Sequence, residues 1–466
     1  MTNSGTTIAA ISTPSGTGGI AVIRVSGEKA FEICESVYLP YDKSIILSKE
    51  ASHTLSVGKI ISPENEFIDE VVVSVFRAPH SYTGENTIEI SCHGSIFIQQ
   101  QILKILVRRG CTLAQPGEFT QRAFLNGKLD LSQAEAVADM IASTSAAAHR
   151  MAASQMRGGF SGELKNLRAK LLDFVSLIEL ELDFSEEDVE FANRSNLLQL
   201  AVGIEQKISS LSDSFQTGNA IKNGISVALV GETNVGKSTL LNALLNEDKA
   251  IVSEIHGTTR DVIEDTISVN GILFRFIDTA GIRETDDTIE NLGIERTYSK
   301  IEQSSIVLWL VDCTQLSEHI EWLAGKIQKK ANGKKIILVF NKIDKVTEEE
   351  INIIDQLFRQ FDSEKITISA KKKTNIDKLQ KALIKAAQLP EIGENDVVVS
   401  NIRHYEALQK AEVAIKRVIY GLKQGISGDF LSQDIRECIH YIGEITGQIS
   451  NNEILGNIFG KFCIGK

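Results

Sequence analysis

Eight consecutive residues, Gly231-Glu232-Thr233-Asn234-Val235-Gly236-Lys237-Ser238, have the types and spacing of a polyphosphate-binding loop. Two glycines let backbone N–H groups wrap the phosphates, and a helix N-terminus behind them adds partial positive charge. Lys237 would reach the β- and γ-phosphates as a catalytic cation, and Ser238 would hold Mg²⁺. Asn234, Val235, Gly236 and Thr239 complete the predicted lining. For this chemistry to work, a strand must deliver the loop and a helix must leave it. The apolar run Ile225 to Val230 and the segment Thr239-Leu240-Leu241-Asn242-Ala243-Leu244-Leu245 supply both.

Four further blocks follow in order. In Gly257-Thr258-Thr259-Arg260-Asp261, Thr259 is placed to complete the Mg²⁺ shell. Asp278-Thr279-Ala280-Gly281 ends the apolar run Ile272 to Ile277. Its carboxylate would hold a Mg²⁺-bound water and its glycine N–H would approach the γ-phosphate. Asn341-Lys342-Ile343-Asp344 ends the run Ile336 to Phe340, and the Asp344 carboxylate can accept from both N1–H and the exocyclic amine of guanine. Adenine has no such donor pair. Ser369-Ala370-Lys371 closes the base pocket. Together the five blocks predict a GTP site.

One expected group is missing. The position after Gly281, where many small GTPases carry a water-orienting glutamine, holds Ile282, which cannot orient water. Glu290, at a predicted helix start after an acidic stretch, is the candidate replacement, although a glutamate there also suits a solvated helix face. Asn234 suggests a further device. A side-chain carbonyl in the phosphate loop can help ligate K⁺, which would neutralise charge developing on the phosphates.

The chain has 466 residues, enough for two to four domains, and its 42% hydrophobic and 24% charged content is that of a globular protein. Its six prolines favour long helices, and its net charge of −12 argues against broad electrostatic capture of nucleic acid. Clusters such as Arg108-Arg109 and Lys371-Lys372-Lys373 read as solvated faces. The six cysteines stand singly, without zinc spacing, as in a reduced cytoplasmic protein. No signal peptide or membrane span is expected.

Texture divides the chain. Residues 1–119 carry short alternating runs, including Ile20–Ile23 and Val71–Phe76, with one helical stretch from Ser95 to Arg109, and predict an α+β domain. Residues 120–217 turn helical, with Ser132 and Glu135 read as a capping pair and Leu164 to Leu182 as a long helix. Residues 218–382 alternate strand and helix as a parallel sheet requires. Residues 383–466 are helical again, so the α/β segment reads as inserted into one all-α domain.

The remaining blocks bring in a family. Thr7 to Pro14, Gly18 to Gly27, Ser81-Tyr82-Thr83-Gly84-Glu85, Cys92-His93-Gly94, Pro116 to Leu131 and the terminal Phe462-Cys463-Ile464-Gly465-Lys466 together resemble the tRNA-modification GTPase family MnmE, also called TrmE. The resemblance implies an N-terminal folate-binding and dimerisation domain, a helical domain, and an inserted Ras-like P-loop GTPase domain. It implies a cytoplasmic homodimer acting with the flavoprotein MnmG on the wobble uridine of tRNA. The product would carry an aminomethyl or carboxymethylaminomethyl group at carbon 5, with 5-formyl- or methylene-tetrahydrofolate as the one-carbon source. By position it assigns K⁺ to Asn234, Ser253, Ile255 and Thr258, the water to Glu290, and folate to Arg24, Glu89, Lys128 and Lys466. Cys463 matches the family's C-terminal cysteine as a candidate catalytic thiol. Two other readings stay open: a ribosome-assembly GTPase, and a folate-dependent one-carbon transferase with a regulatory GTPase domain.

Overall fold

The structure is a computed structural model and describes residues 5–183, 194–247, 265–277, 301–315, 333–359, 363–389, 396–449 and 452–465, with a few isolated positions between them. It divides into two compact units. One comprises Met1–Ile141, Ala153–Ser209 and Glu406–Lys466, and the other Ala142–Ala152 and Ser210–Tyr405.

In the first unit, strands β1 (Ile8–Ile11), β2 (Gly18–Ser26), β3 (Tyr38–Pro40), β4 (Thr54–Ile61), β5 (Phe67–Phe76), β6 (Thr87–Gly94) and β7 (Thr112–Leu113) form one sheet in the order β3-β4-β5-β6-β2-β1-β7. Every pairing is antiparallel except β1 with β7. Strand β5 shows why the sheet has two unlike faces. Val71, Val73 and Val75 are buried with Ile23, Ile88 and Ile90 beneath the helices Ala30–Glu35 and Ile96–Arg108. The alternate residues point the other way, and there Ile20, Leu55, Val57 and Val72 are exposed.

Helices complete this unit. Gly428–Thr446 packs on Gly159–Asp183, burying Ile435, Cys438 and Ile442 with Leu171, Phe174 and Ile178. The terminal helix Asn452–Phe459 meets the start of Leu131–Ala142, where Leu131, Ala134, Leu455, Phe459 and Phe462 cluster with Phe124. The cap of Leu131–Ala142 differs from the expectation. Ser132 lies inside the first turn, and Asp130 is the capping residue. Its carboxylate accepts from Gln133 N at 3.0 Å while Gln133 Oε1 accepts from Asp130 N at 3.0 Å. Ser132 instead donates to Asp130 and lies 2.8 Å from Ser161 Oγ, so its hydroxyl is used in packing.

In the second unit, strands β8 (Ile225–Val230), β9 (Asp265–Val269), β10 (Ile272–Phe276), β11 (Ile306–Asp312), β12 (Lys335–Asn341) and β13 (Glu364–Thr367) form a sheet in the order β13-β12-β11-β8-β10-β9. Only β9 runs antiparallel to its neighbour. Strand β11 is buried along its whole length, as a central parallel strand must be. Ile306, Leu308 and Leu310 enter one core layer, and Val307, Trp309 and Val311 enter the other. Because β8 is flanked by β10 on one side and β11 on the other, the chain switches direction across it. The carboxyl end of β8 is therefore the switch point where an open α/β sheet binds its ligand.

Candidate nucleotide site and the N-terminal sheet

Strand β8 ends at Val230 and the helix Lys237–Glu247 begins seven residues later. The intervening turn requires left-handed backbone: Asn234 has φ 61° and Gly236 φ 99°. A Cβ at Gly236 would stand 2.4 Å from Asn341 Nδ2, so only glycine fits. Val235 anchors the loop in the core, whereas Asn234, Ser238 and Thr239 are exposed. The Lys237 ammonium turns back into the loop and donates to the carbonyls of Gly231 at 2.7 Å and Glu232 at 2.8 Å.

The base loop is tied to this one by two bridges. Asn341, buried at the end of β12, donates through Nδ2 to Val235 O at 2.8 Å and accepts from Ala370 N at 3.0 Å. Lys342, at φ 66°, donates to Asn234 O at 2.8 Å and to Asp312 Oδ2 at 2.5 Å. Burial pulls the Asp312 carboxyl upward, but the Lys342 ammonium and hydrogen bonds from Thr314 outweigh it and leave it below its ordinary range. Ser369 donates to Asp344 Oδ1 at 2.7 Å and is the main cause of that carboxyl's lowered pKa. Asp344 Oδ2 is 4.0 Å from Lys372 Nζ. Lys371 is exposed beside it. Asn234, Val235, Gly236, Lys237, Asn341, Lys342, Asp344, Ser369 and Ala370 thus form one connected edge. Ser253, Ile255, Thr258, Thr259, Asp278, Thr279, Ala280, Gly281 and Glu290 lie outside the described residues.

The folate candidates lie in the other unit. Arg24 on β2 stands directly opposite Glu89 on β6, and its guanidinium contacts Glu89 Oε1 at 2.8 Å. The same guanidinium lies 5.2 Å from the centroid of the Tyr82 ring and 5.6 Å from that of Phe119. Lys128 is exposed and donates to Pro79 O at 3.0 Å. Lys466 lies outside the described residues. The C-terminal segment docks at this corner: Gly117 N donates to Cys463 O at 3.4 Å, and Ser12 Oγ donates to Gly465 O at 3.1 Å. Of the six cysteines only Cys463 is exposed. Burial raises the thiols of Cys92 to about 11 and of Cys111, Cys313 and Cys438 to about 12.

Sequence reasoning missed three groups. Asp312 carried no signal beyond closing an apolar strand. Arg122, almost fully buried, donates to Glu118 at 2.9 Å, to Glu85 at 3.1 Å and to the Thr6 carbonyl at 2.8 Å. Glu85 in turn accepts from Ser26 at 2.8 Å. This network explains the blocks Ser81–Glu85 and Pro116–Leu131 as a buried polar joint, a role that their residue types did not reveal. His93 Nδ1 sits 2.7 Å from Asp69 Oδ1, with its ring largely exposed. Among the described residues no cluster of three or more His, Cys, Asp or Glu is arranged to hold a metal ion. Nor is any helix among them long and apolar enough to cross a membrane.

A β8 switch point, a glycine-dependent phosphate loop and a base loop bridged to it by Asn341 and Lys342 define a P-loop GTPase. Residues 131–463 match the MnmE helical domain and residues 7–128 match the N-terminus of the GTP-binding protein TrmE. A tRNA modification GTPase MnmE of Bacteroides thetaiotaomicron is 61% identical over 463 residues, covering 99% of each chain. Its counterpart in Bacteroides fragilis is 59% identical over the same shares, and that of Flavobacterium johnsoniae is 52% identical over 98% of this chain and 99% of its own. Among solved structures, Era in complex with MgGDPNP and 16S ribosomal RNA matches 41% of this chain and 66% of its own at 32% identity and a TM-score of 0.29. The chain belongs to the MnmE family of tRNA-modification GTPases and is a GTP hydrolase. Relatives matching end to end set aside the ribosome-assembly reading, which left the N- and C-terminal blocks without a role.

Proposed function

We propose that this chain is a K⁺-activated GTPase that works in the cytoplasm as a homodimer with MnmG. Together they would modify the wobble uridine of tRNA at carbon 5 to its aminomethyl or carboxymethylaminomethyl form. One observation carries the reading. A chain related to MnmE over 99% of its length combines the GTP edge with an N-terminal sheet whose Arg24–Glu89 pair stands beside a docked C-terminal segment.

The residues present fit the groups this reading requires. Asn234 is exposed, and its backbone carbonyl is occupied by Lys342, which leaves its side-chain oxygen as a neutral ligand suited to K⁺. Ser253, Ile255 and Thr258 would complete that set. The Ser238 hydroxyl, exposed in the first helical turn, is a hard oxygen of the kind Mg²⁺ accepts, with Thr259 as its partner. When bound, the two ions supply positive charge to the phosphates. Lys237 adds a third positive charge from inside the loop, and the Gly236 backbone leaves room for the phosphates to approach. Asp278 would hold a Mg²⁺-bound water, Thr279, Ala280 and Gly281 would follow the γ-phosphate, and Glu290 would orient the attacking water. Asp344, kept ionised by Ser369, would accept the guanine N–H groups.

A tetrahydrofolate derivative would bind at Arg24 and Glu89. A carboxylate suits pterin N–H donors, and Arg24, Lys128 or Lys466 suits a glutamate tail. Binding would exchange the Arg24–Glu89 ion pair for contacts with the ligand. The exposed apolar residues Ile20, Leu55, Val57 and Val72 on the same sheet suit burial against a second copy. Cys463, as the exposed thiol of this corner, is the candidate for a covalent role.

Nucleoside analysis of tRNA tests the proposal. Bacteria deleted for this gene should lose the C5-modified wobble uridine and regain it with the intact gene, but not with Lys237→Ala. Unchanged modification in the deletion strain would overturn it.

A further inference from the structure

We propose that Asp312 is a positioning residue for nucleotide binding, holding the Lys342 ammonium against the phosphate loop and so locking the base loop to it. Asp312 is the last residue of β11 and lies opposite Asn341 in register, so strand pairing delivers it to the carboxyl edge of the sheet. Its carboxylate is held on one side. Oδ1 accepts from Thr314 N at 2.9 Å and from Thr314 Oγ1 at 2.7 Å. Oδ2 is thereby aimed at Lys342 Nζ, 2.5 Å away. Only 10% of the Asp312 side chain is exposed, so solvent screens this pair less than a surface ion pair.

The pair matters because of what Lys342 does with its other donors. A lysine carries four flexible torsions and confines itself poorly. Here its ammonium is fixed between two acceptors, Asp312 Oδ2 and Asn234 O. Of the two bridges between the loops, the one through Asn341 is neutral and self-contained, whereas the one through Lys342 depends on the carboxylate opposite. Without that carboxylate Lys342 would be held by one carbonyl alone. Its left-handed backbone, unusual for lysine, would then have less to sustain it.

Asp312→Asn separates the two jobs of the side chain. The amide oxygen still accepts from Thr314, while the charge is lost and a donor faces the ammonium. Dissociation of N-methylanthraniloyl-GDP from the full-length protein should accelerate about tenfold, the scale of one charge-assisted hydrogen bond. In a Lys342→Gln background the same change should have no further effect, because its only route to the nucleotide is gone. Equal dissociation from Asp312→Asn and the parent would overturn the proposal, as would a multiplicative effect in the Lys342→Gln background. Should Asp312→Asn fail to fold, Asp312→Ser, which keeps an acceptor for Thr314, takes its place. Loss of the melting transition in both variants would make Asp312 a folding residue and refute the positioning role.

Discussion

The nucleotide edge of the second unit and the Arg24–Glu89 corner of the first assemble their polar groups by opposite means. In the β8–β13 sheet all strands but β9 are parallel, so these strands end at the same edge and hand their next residues to one place. Asn341 therefore meets Val235, and Lys342 meets Asn234, although more than a hundred residues separate them. Many of the contacts are to backbone carbonyls and amides, and they depend on loop conformation more than on side-chain identity. In the antiparallel β1–β7 sheet, register brings side chains together. Arg24 and Glu89 meet because they are paired residues of adjacent strands on one face. A parallel edge thus produces short contiguous motifs, whereas an antiparallel face produces scattered single residues.

Substitutions should break the two regions in different ways. The largest effect is expected from Arg122→Met, which strands Glu118 and Glu85 without their shared cation; removing one partner of a buried pair costs about 3–5 kcal/mol. Hydrogen-exchange mass spectrometry should show lost protection in peptides from residues 5–26 and 81–128, with peptides from 225–247 unchanged. Equal loss in both would show that the regions do not respond separately.

Next in size is Gly236→Ala. Left-handed strain and disruption of the Asn341 bridge together cost about 2–3 kcal/mol, which is roughly a 30- to 150-fold loss in guanine-nucleotide affinity. Fluorescence titration with labelled GDP would measure it. Folate affinity at the proposed Arg24–Glu89 site, measured by calorimetry, should stay at the parent value if the two regions are built independently.

The smallest effect concerns pH. Asp312 and Asp344 both have lowered pKa values, so their ionised contribution is complete above the unfolded value of about 3.9 and fades as pH falls through the folded values. Guanine-nucleotide affinity should owe no change to these two groups between pH 8 and 5 and should fall only below about pH 4. A midpoint near pH 6 in a titration of labelled-GDP binding would contradict the assignment.

This contrast also explains what was readable in the chain. The phosphate and base loops were visible as contiguous strings because each follows one buried strand, and the apolar runs Ile225–Val230 and Ile336–Phe340 marked those strands. Asp312 was not visible, since a lone carboxylate closing a strand gains its meaning from a lysine thirty residues away. On the antiparallel sheet, alternation announced β5, but nothing local announced that Arg24 would face Glu89, and those residues were reached only through resemblance. The Asp130 cap was misread for a related reason. Ser132 and Glu135 have the spacing of a capping pair, but Asp130 and Gln133 have it too, and the carboxylate two residues earlier took the position.

The most direct test of the account compares GTP hydrolysis by the full-length protein in KCl and in NaCl at equal ionic strength, beside an Asn234→Ala variant. Strong stimulation by K⁺ that disappears in the variant is the expected result under the proposed reading, in which Asn234 would offer its side-chain oxygen to K⁺ while Lys342 holds its backbone carbonyl. Equal, slow turnover in both salts would contradict the proposed activation and leave the GTPase dependent on some other source of positive charge.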